Sequence, residues 1–237
     1  MKLNTSYDMP SLGIGTFMLR NATAQKAVYE AIKDGYRLIN TARIYDNEKG
    51  VGKAINRAIE EGLVKREDHF VTTKMWTSDF NYGDRAIEAS LNRLNLSYID
   101  LMILHHSQPS NDVKAYQAME RAMRQGKLRS IGLSNYYTPA DFDRLVDRTS
   151  IHPAVLQNEL HPYYQDRDLV NYVRDTGTVM EAWFPLGGRD GRGTLLDHPV
   201  ILKIAAKYQA TAAQVILAWH VQKGFVAIPG SSNKKTY

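Results

Sequence analysis

The chain has 237 residues, 43% hydrophobic and 23% charged, the balance of a soluble globular protein and the length of one large domain. It has no cysteine, which excludes disulfides, thiolate metal ligands and cysteine nucleophiles, and no apolar run approaches the roughly 18 residues of a membrane span. Net charge is +5, but basic residues are scattered among acids and no basic block is longer than Lys234-Lys235, so neither nucleic acid nor a membrane is expected as a partner. The opening MKLNTSYDMPSLG lacks the apolar core of a secretory signal, so a cytoplasmic location is the default expectation.

Short apolar runs alternate with longer amphipathic ones. Residues 12–16 read as a strand and 23–34 as a helix, with Ala27, Val28, Ala31 and Ile32 at helical spacing. A strand at 38–40 precedes a helix at 48–61 that carries Val51, Ile55 and Ile59 on one face. Strand 70–74 leads to helix 84–94, strand 101–105 to helix 113–125, and strand 130–133 to helix 141–146. Strand 155–157 is followed by helix 168–175, and strand 179–182 by two helices, 200–208 and 212–222. The last strand is 225–228. Eight βα units force parallel pairing, because each strand end must be carried back by a crossover. They favour a closed parallel α/β barrel, the (β/α)8 TIM barrel, as a single domain over 1–237. The helix that would cover the eighth strand is absent from the sequence, and missing residues after Tyr237 are the expected reason.

In such a barrel the reacting groups sit at the C-terminal strand ends. That places Asn40, with Tyr45 five residues on, near Lys74, His105, Ser134, Asn135, Gln157, Trp183 and the stretch Gly230-Ser231-Ser232-Asn233. A phenol beside an ammonium has a chemical logic: the positive charge favours phenolate and lowers the phenol's pKa, which eases proton donation to a developing alkoxide. A neutral imidazole can hydrogen-bond the same oxygen. Neither a metal nor a nucleophile is needed, and a cofactor would supply hydride. Gly13-x-Gly15 lacks the third glycine of a dinucleotide fingerprint and reads as tight packing where the barrel begins.

GYRLINTARIYDNEKGVGKAI, VTTKMW, YIDLMILHH, IGLSNY, LQNELHP, AWFPLG and AIPGSSN resemble, in order and spacing, the motifs of the aldo-keto reductase family. The likeness runs from about Leu12 to Asn233 and is nearest to the short bacterial members of the diketogluconate reductase type. It implies an NADP(H)-dependent oxidoreductase that reduces small aldehydes or ketones, as a monomer or weak oligomer. By resemblance, Tyr45 is the proton donor, Lys74 lowers its pKa, and His105 orients the carbonyl. Ser134, Asn135 and Gln157 would hold the nicotinamide carboxamide, and Trp183 would stack on its ring. Leu186 and Gly187 would follow the pyrophosphate, and Ser231, Ser232 and Asn233 the adenosine phosphate. Phe17, Trp76 and His106 would line the substrate pocket.

Two departures qualify the resemblance. The family places Asp where this chain has Asn40, which implies a less well paired Lys74 and one of two outcomes: a Tyr45 pKa lowered still further or, the outcome expected to matter more, a Lys74 that loses its proton or its position, with much reduced turnover. Many relatives carry Lys at Gly230 and an Arg soon after, where this chain has Lys234 and Lys235; lysine binds a 2′-phosphate as a point charge. The alternative reading is a catalytically impaired, nucleotide-binding relative that serves as sensor or scaffold. Each residue also has a plain alternative: Tyr45 as a surface aromatic, His105-His106 as a core pair, Trp183 as core filling, Ser134-Asn135 as helix caps.

Overall fold

Strands that are apolar on both faces need cover on both, and the chain supplies it by closing a sheet on itself inside a coat of helices. The computed structural model describes residues 1–187 and 195–230. Its strands are β1 (Gly13–Gly15), β2 (Leu38–Asn40), β3 (Phe70–Met75), β4 (Ile99–Leu104), β5 (Leu128–Ser134), β6 (Val155–Glu159), β7 (Val179–Trp183) and β8 (Val226–Ala227). Each runs parallel to the next, in sequence order. The ends meet: Leu12 bridges Ala227 and Gly15 bridges Gly230, both in parallel sense. The Gly15 N–H donates to the Pro229 carbonyl at 2.8 Å, and that of Ala227 to the Ser11 carbonyl at 3.0 Å. The barrel read from the alternation is therefore the barrel observed.

The helices are α1 (Asn21–Lys33), α2 (Glu48–Glu60), α3 (Gly83–Leu94), α4 (Asp112–Arg124), α5 (Pro139–Val146), α6 (Arg167–Asp175), α7 (Pro199–Tyr208) and α8 (Ala212–Gln222). All fall within two residues of the expected bounds. The early start of α5 has a local cause: Pro139 occupies its first position and the Thr138 hydroxyl accepts from the Asp141 N–H at 3.1 Å, so the cap lies ahead of the amphipathic pattern. Among the described residues four short 3₁₀ turns, Arg43–Tyr45 one of them, carry no readable period and were not expected from the sequence. No single helix among the described residues is long and apolar enough to cross a membrane.

Strand alternation divides the core in two. Ile39, Val71, Met102, Leu104, Leu133, Leu156 and Met180 point outward and pack with the helices. Leu38, Phe70, Leu101, Ile103, Val155 and Val226 fill the barrel, plugged at one end by Leu3 and Met9 from the N-terminal segment. Stepping by two along the inward face leads from Leu38 to Asn40, from Phe70 to Lys74, from Ile103 to His105, and from Val155 to Gln157. An apolar interior thus gives way to a polar mouth. Gly13 and Gly15 mark tight packing, as expected: a Cβ on Gly13 would meet Leu38 Cγ at 2.5 Å, and one on Gly15 the Ile228 carbonyl at 2.9 Å.

Helix packing is as close as strand packing. Gly52 of α2 lies against the end of α3, where a Cβ would meet the Leu94 carbonyl oxygen at 2.2 Å. Backbone cannot yield as a side chain does. Gly52→Ala is expected to destabilise the fold by about 1–3 kcal/mol despite alanine's better helix propensity. Urea unfolding measures this; a variant equal to or above the parent in stability would disprove the contact.

Candidate active site

The mouth is built first from the connection between β2 and α2. After Asn40 the chain makes a 3₁₀ turn and reverses at Asp46, whose φ is 53°. Fully buried Asn47 brackets the turn: its amide donates to the carbonyls of Thr16 and Leu19, each at 2.9 Å, and its oxygen accepts from the Thr41 hydroxyl at 2.6 Å. Glu48 pins the start of α2 from beneath, accepting from Thr73 Oγ1 at 2.6 Å and Arg93 Nε at 2.5 Å. Both residues lie inside the first family-like motif, but their service in holding the Tyr45 turn went unread in the sequence.

That turn brings Tyr45 to Lys74. The lysine, 1% exposed, donates to Asn40 Oδ1 at 2.6 Å, the Thr41 carbonyl at 3.0 Å and Tyr45 Oη at 3.1 Å. His105 follows β4, its ring 5.8 Å from that of Tyr45 and nearly perpendicular to it. Phenol, ammonium and imidazole therefore meet. Lys74 thus sits within hydrogen-bond reach of both Asn40 and Tyr45. Burial pushes the Lys74 ammonium down to about 7, against a rise from the Glu181 charge.

The phenol runs opposite to expectation. Burial, then the Glu181 charge, raise the Tyr45 pKa well above its ordinary value. A neighbouring ammonium favours phenolate, but loss of solvent on burial favours the phenol and is the largest effect on Tyr45. At neutral pH Tyr45 carries its proton. Burial, then Lys74 and His106, hold His105 far below the usual imidazole range, so it is neutral.

Around these groups opens a cavity of about 650 Å³, a size that suits a small-molecule site. Asn40, Tyr45 and His105 line it, as do Phe17, Trp76, His106, Ser134, Asn135, Gln157, Trp183, Leu186 and Gly187. Lys74 lies behind Tyr45 and Asn40. Ser231, Ser232 and Asn233, with Lys234 and Lys235, fall outside the described residues. Asn135 is not a helix cap: it turns left-handed at φ 58° and its amide donates to the His105 carbonyl at 2.8 Å, while α5 is capped by Thr138. The His105 and His106 rings stack at 5.2 Å, and Trp76 stands edge-on to both. Phe17, 49% exposed, lies 5.2 Å from the Tyr45 ring across the opening. His105 Nδ1 and Trp183 Nε1 are buried without hydrogen-bond partners. Among the described residues no cluster of acidic and histidine side chains could hold a metal ion.

The sequence reading also missed Glu181. Within the run VMEAW it sits on β7, 0% exposed, in register with Gln157, whose Nε2 donates to its Oε2 at 2.6 Å. Burial pushes its carboxyl up to about 7, opposed by Gln157, Lys74 and Asn40 in that order. A lone acid in an apolar strand was the available signal.

The aldo/keto reductase family model matches residues 11–237. The chain belongs to this family, and so to the oxidoreductases. It is 40% identical over 234 residues to a glyoxal reductase of Bacillus subtilis (strain 168), covering 98% of this chain and 82% of that protein. It is 39% identical over 233 residues to a methylglyoxal reductase of Yersinia pestis, with the same coverage. An NAD(P)H-dependent D-xylose reductase of Candida tropicalis is 36% identical over 271 residues, covering 98% and 83%. An aldo/keto reductase crystal structure from Brucella melitensis superposes with a TM-score of 0.92 at 37% identity, over 100% of this chain and 89% of that one.

Removing the Asn47 bracket takes from the Thr41 hydroxyl and the Leu19 carbonyl the Asn47 partner each has here, and from the Thr16 carbonyl one of its two donors, the Leu19 N–H remaining at 3.1 Å. Asn47→Ala is expected to lower the unfolding free energy by about 2–3 kcal/mol. Chemical denaturation reads this, and an undiminished midpoint would show that the loop is held some other way.

Proposed function

We propose that the protein reduces small aldehydes and ketones to alcohols with NADP(H). The observation that supports this most is the Lys74–Tyr45 contact of 3.1 Å at the floor of an open cavity. The cavity suits the nicotinamide half of the cofactor: Ser134, Asn135 and Gln157 offer a hydroxyl and two amides for its carboxamide, beside the flat indole of Trp183. Leu186 and Gly187 would follow the pyrophosphate, and Ser231, Ser232 and Asn233 the adenosine phosphate. When bound, the cofactor supplies a hydride to the carbonyl carbon.

The chain's own residues handle the oxygen. Tyr45, protonated at neutral pH, gives its proton to the oxygen as charge develops there. Lys74 lies within reach to return a proton to the phenolate and is charged below about pH 7. Neutral His105 orients the carbonyl. The aromatic rim of Phe17, Trp76 and His106 leaves room for a small, partly apolar carbonyl compound. The names of the relatives, glyoxal, methylglyoxal and xylose reductases, point to small carbonyl compounds and sugars. The proposed working form is a monomer or weak oligomer in the cytoplasm.

Asn40 lowers turnover in this reading through the proton on Lys74 and leaves the position of that lysine intact. Activity that needs the charged form is complete below the Lys74 pKa and is lost as pH rises through it. The rival reading, a nucleotide-binding sensor or scaffold, draws on Asn40; the preserved contact between Lys74 and Tyr45 favours catalysis. Oxidation of NADPH with a panel of reactive aldehydes separates them, since tight cofactor binding with no turnover supports the rival.

Three outcomes are expected. Tyr45→Phe cuts kcat by about 10²–10⁴-fold with cofactor affinity unchanged, read by tryptophan quenching. In the wild type kcat for reduction falls as pH rises above neutrality, and a flat profile to strongly alkaline pH removes Lys74 from the mechanism. NADPH quenches at lower concentration than NADH; the reverse order would overturn the cofactor assignment.

A further inference from the structure

A buried ammonium needs negative charge, and Asn40 has none to give. The barrel interior holds another source. Glu181 is completely buried on the inward face of β7, two residues before Trp183 and two after Val179, both of which pack at the barrel core. Asn40, two residues after the inward-facing Leu38, faces the same interior from β2. Its oxygen already accepts from Lys74 Nζ at 2.6 Å, which leaves its Nδ2 to be satisfied. Nδ2 is buried with no hydrogen-bond partner, and so is Glu181 Oε1. The Asn40 amide is nevertheless near enough to the Glu181 carboxyl to favour its charged form. Two orphaned atoms, one a donor and one an acceptor, thus belong to inward-facing residues of the same barrel.

We propose that Glu181 is a positioning residue, the counter-ion of Lys74 reached through the Asn40 amide, and that it supplies from β7 the buried negative charge that β2 does not carry. An amide can bridge in this way because it has an acceptor end for the ammonium and a donor end for the carboxylate. An aspartate at the same place would accept from the lysine and confront Glu181 with like charge. Asn40 and Glu181 are therefore a matched pair, and the departure at position 40 is a relocation of charge. Gln157, donating to Glu181 Oε2 at 2.6 Å, fixes the other carboxylate oxygen and ties the cofactor-facing wall to the same network.

Among the described residues, the titratable groups that face Lys74 are Tyr45 from the turn after β2, His105 just beyond β4 and Glu181 on β7. Tyr45 and His105 are uncharged at neutral pH, so Glu181 is the one that can hold the ammonium charged. The reciprocal influence is present: the Glu181 charge raises the Lys74 pKa, and the Lys74 charge lowers that of Glu181. Removing the carboxylate leaves burial unopposed and makes Lys74 lose its proton at lower pH.

The inference rests on the reductase reading for its kinetic arm, so the experiment has a second arm that does not. Asn40→Asp, Glu181→Gln and the double variant form a cycle on the full chain. Glu181→Gln is expected to move the alkaline limb of kcat down by about one pH unit, a roughly tenfold loss at about pH 8, with the aldehyde KM unchanged. Asn40→Asp is expected to move the limb up, and the double variant to lie close to Asn40→Asp, because the carboxylate introduced on β2 then supplies the charge. Equal losses from Glu181→Gln in both backgrounds would reduce Glu181 to a packing role and overturn the proposal. If Glu181→Gln alone fails to fold, recovery of folding in the double variant supports the charge argument, and failure of both overturns it. In the second arm, ¹³C-labelled lysine is titrated by NMR in the cofactor-free protein, with Lys74 assigned by its loss in Lys74→Met. A Lys74 pKa unaltered by Glu181→Gln refutes the proposal even where no substrate is known. A wild type that turns over no carbonyl while its Lys74 responds to Glu181→Gln sinks the reductase reading and leaves this one standing.

Discussion

Everything at the mouth of this barrel follows from keeping one ammonium inside it. Lysine burial is tolerable only if each donor finds an acceptor and some negative charge lies near. Lys74 has its acceptors in Asn40, the Thr41 carbonyl and Tyr45, all from one short stretch that begins at the end of β2. That stretch must therefore be rigid, and Asn47 and Glu48 make it so by joining it to the ends of β1, β3 and α3. The catalytic turn is held as a consequence of satisfying a buried charge, so stability and reactivity share the same bonds.

The barrel was legible because its signal repeats. Eight apolar runs separated by amphipathic ones admit few arrangements, and parity along each strand fixes which side chains face in. Parity also carried Asn40, Lys74 and Gln157 to the mouth and His105 to the residue beyond β4. Two things were not legible for physical reasons. Glu181 obeys the same parity, but a single acid between Met180 and Ala182 is outweighed by its neighbours when a run is scored as apolar. The Tyr45 proton had its direction wrong because the nearest charge is visible in a motif, whereas burial is a property of the assembled pocket. Desolvation has no sequence signature; it arises only when the helices and loops have closed around the group.

The tilt of the Tyr45 pKa has a chemical sense. A phenol that titrated near neutrality would spend part of its time as phenolate, unable to donate. Held protonated by burial, Tyr45 is ready, and its reluctance to ionise is met by an ammonium 3.1 Å away that can replace the proton. The acid is weak alone and adequate as half of a pair, much as a donor chain in a low-dielectric site gains from each added link. A neutral His105 on the other side adds a hydrogen-bonding partner without adding a repelling cation.

Charge placement inside a closed barrel is less constrained than motif positions suggest. The interior is narrow, its walls exclude water, and screening between β2 and β7 is weak compared with that at the surface. A carboxylate on either strand can therefore influence the same ammonium, provided an intervening group passes hydrogen bonds in the right sense. Asparagine does so and aspartate beside Glu181 does not, since two carboxylates in one dry compartment cannot both stay ionised. What such a site must conserve is the sum of charge and the continuity of donors and acceptors; which strand carries the acid is secondary. The loss of a carboxylate from a motif thus says little about activity until the whole interior has been counted.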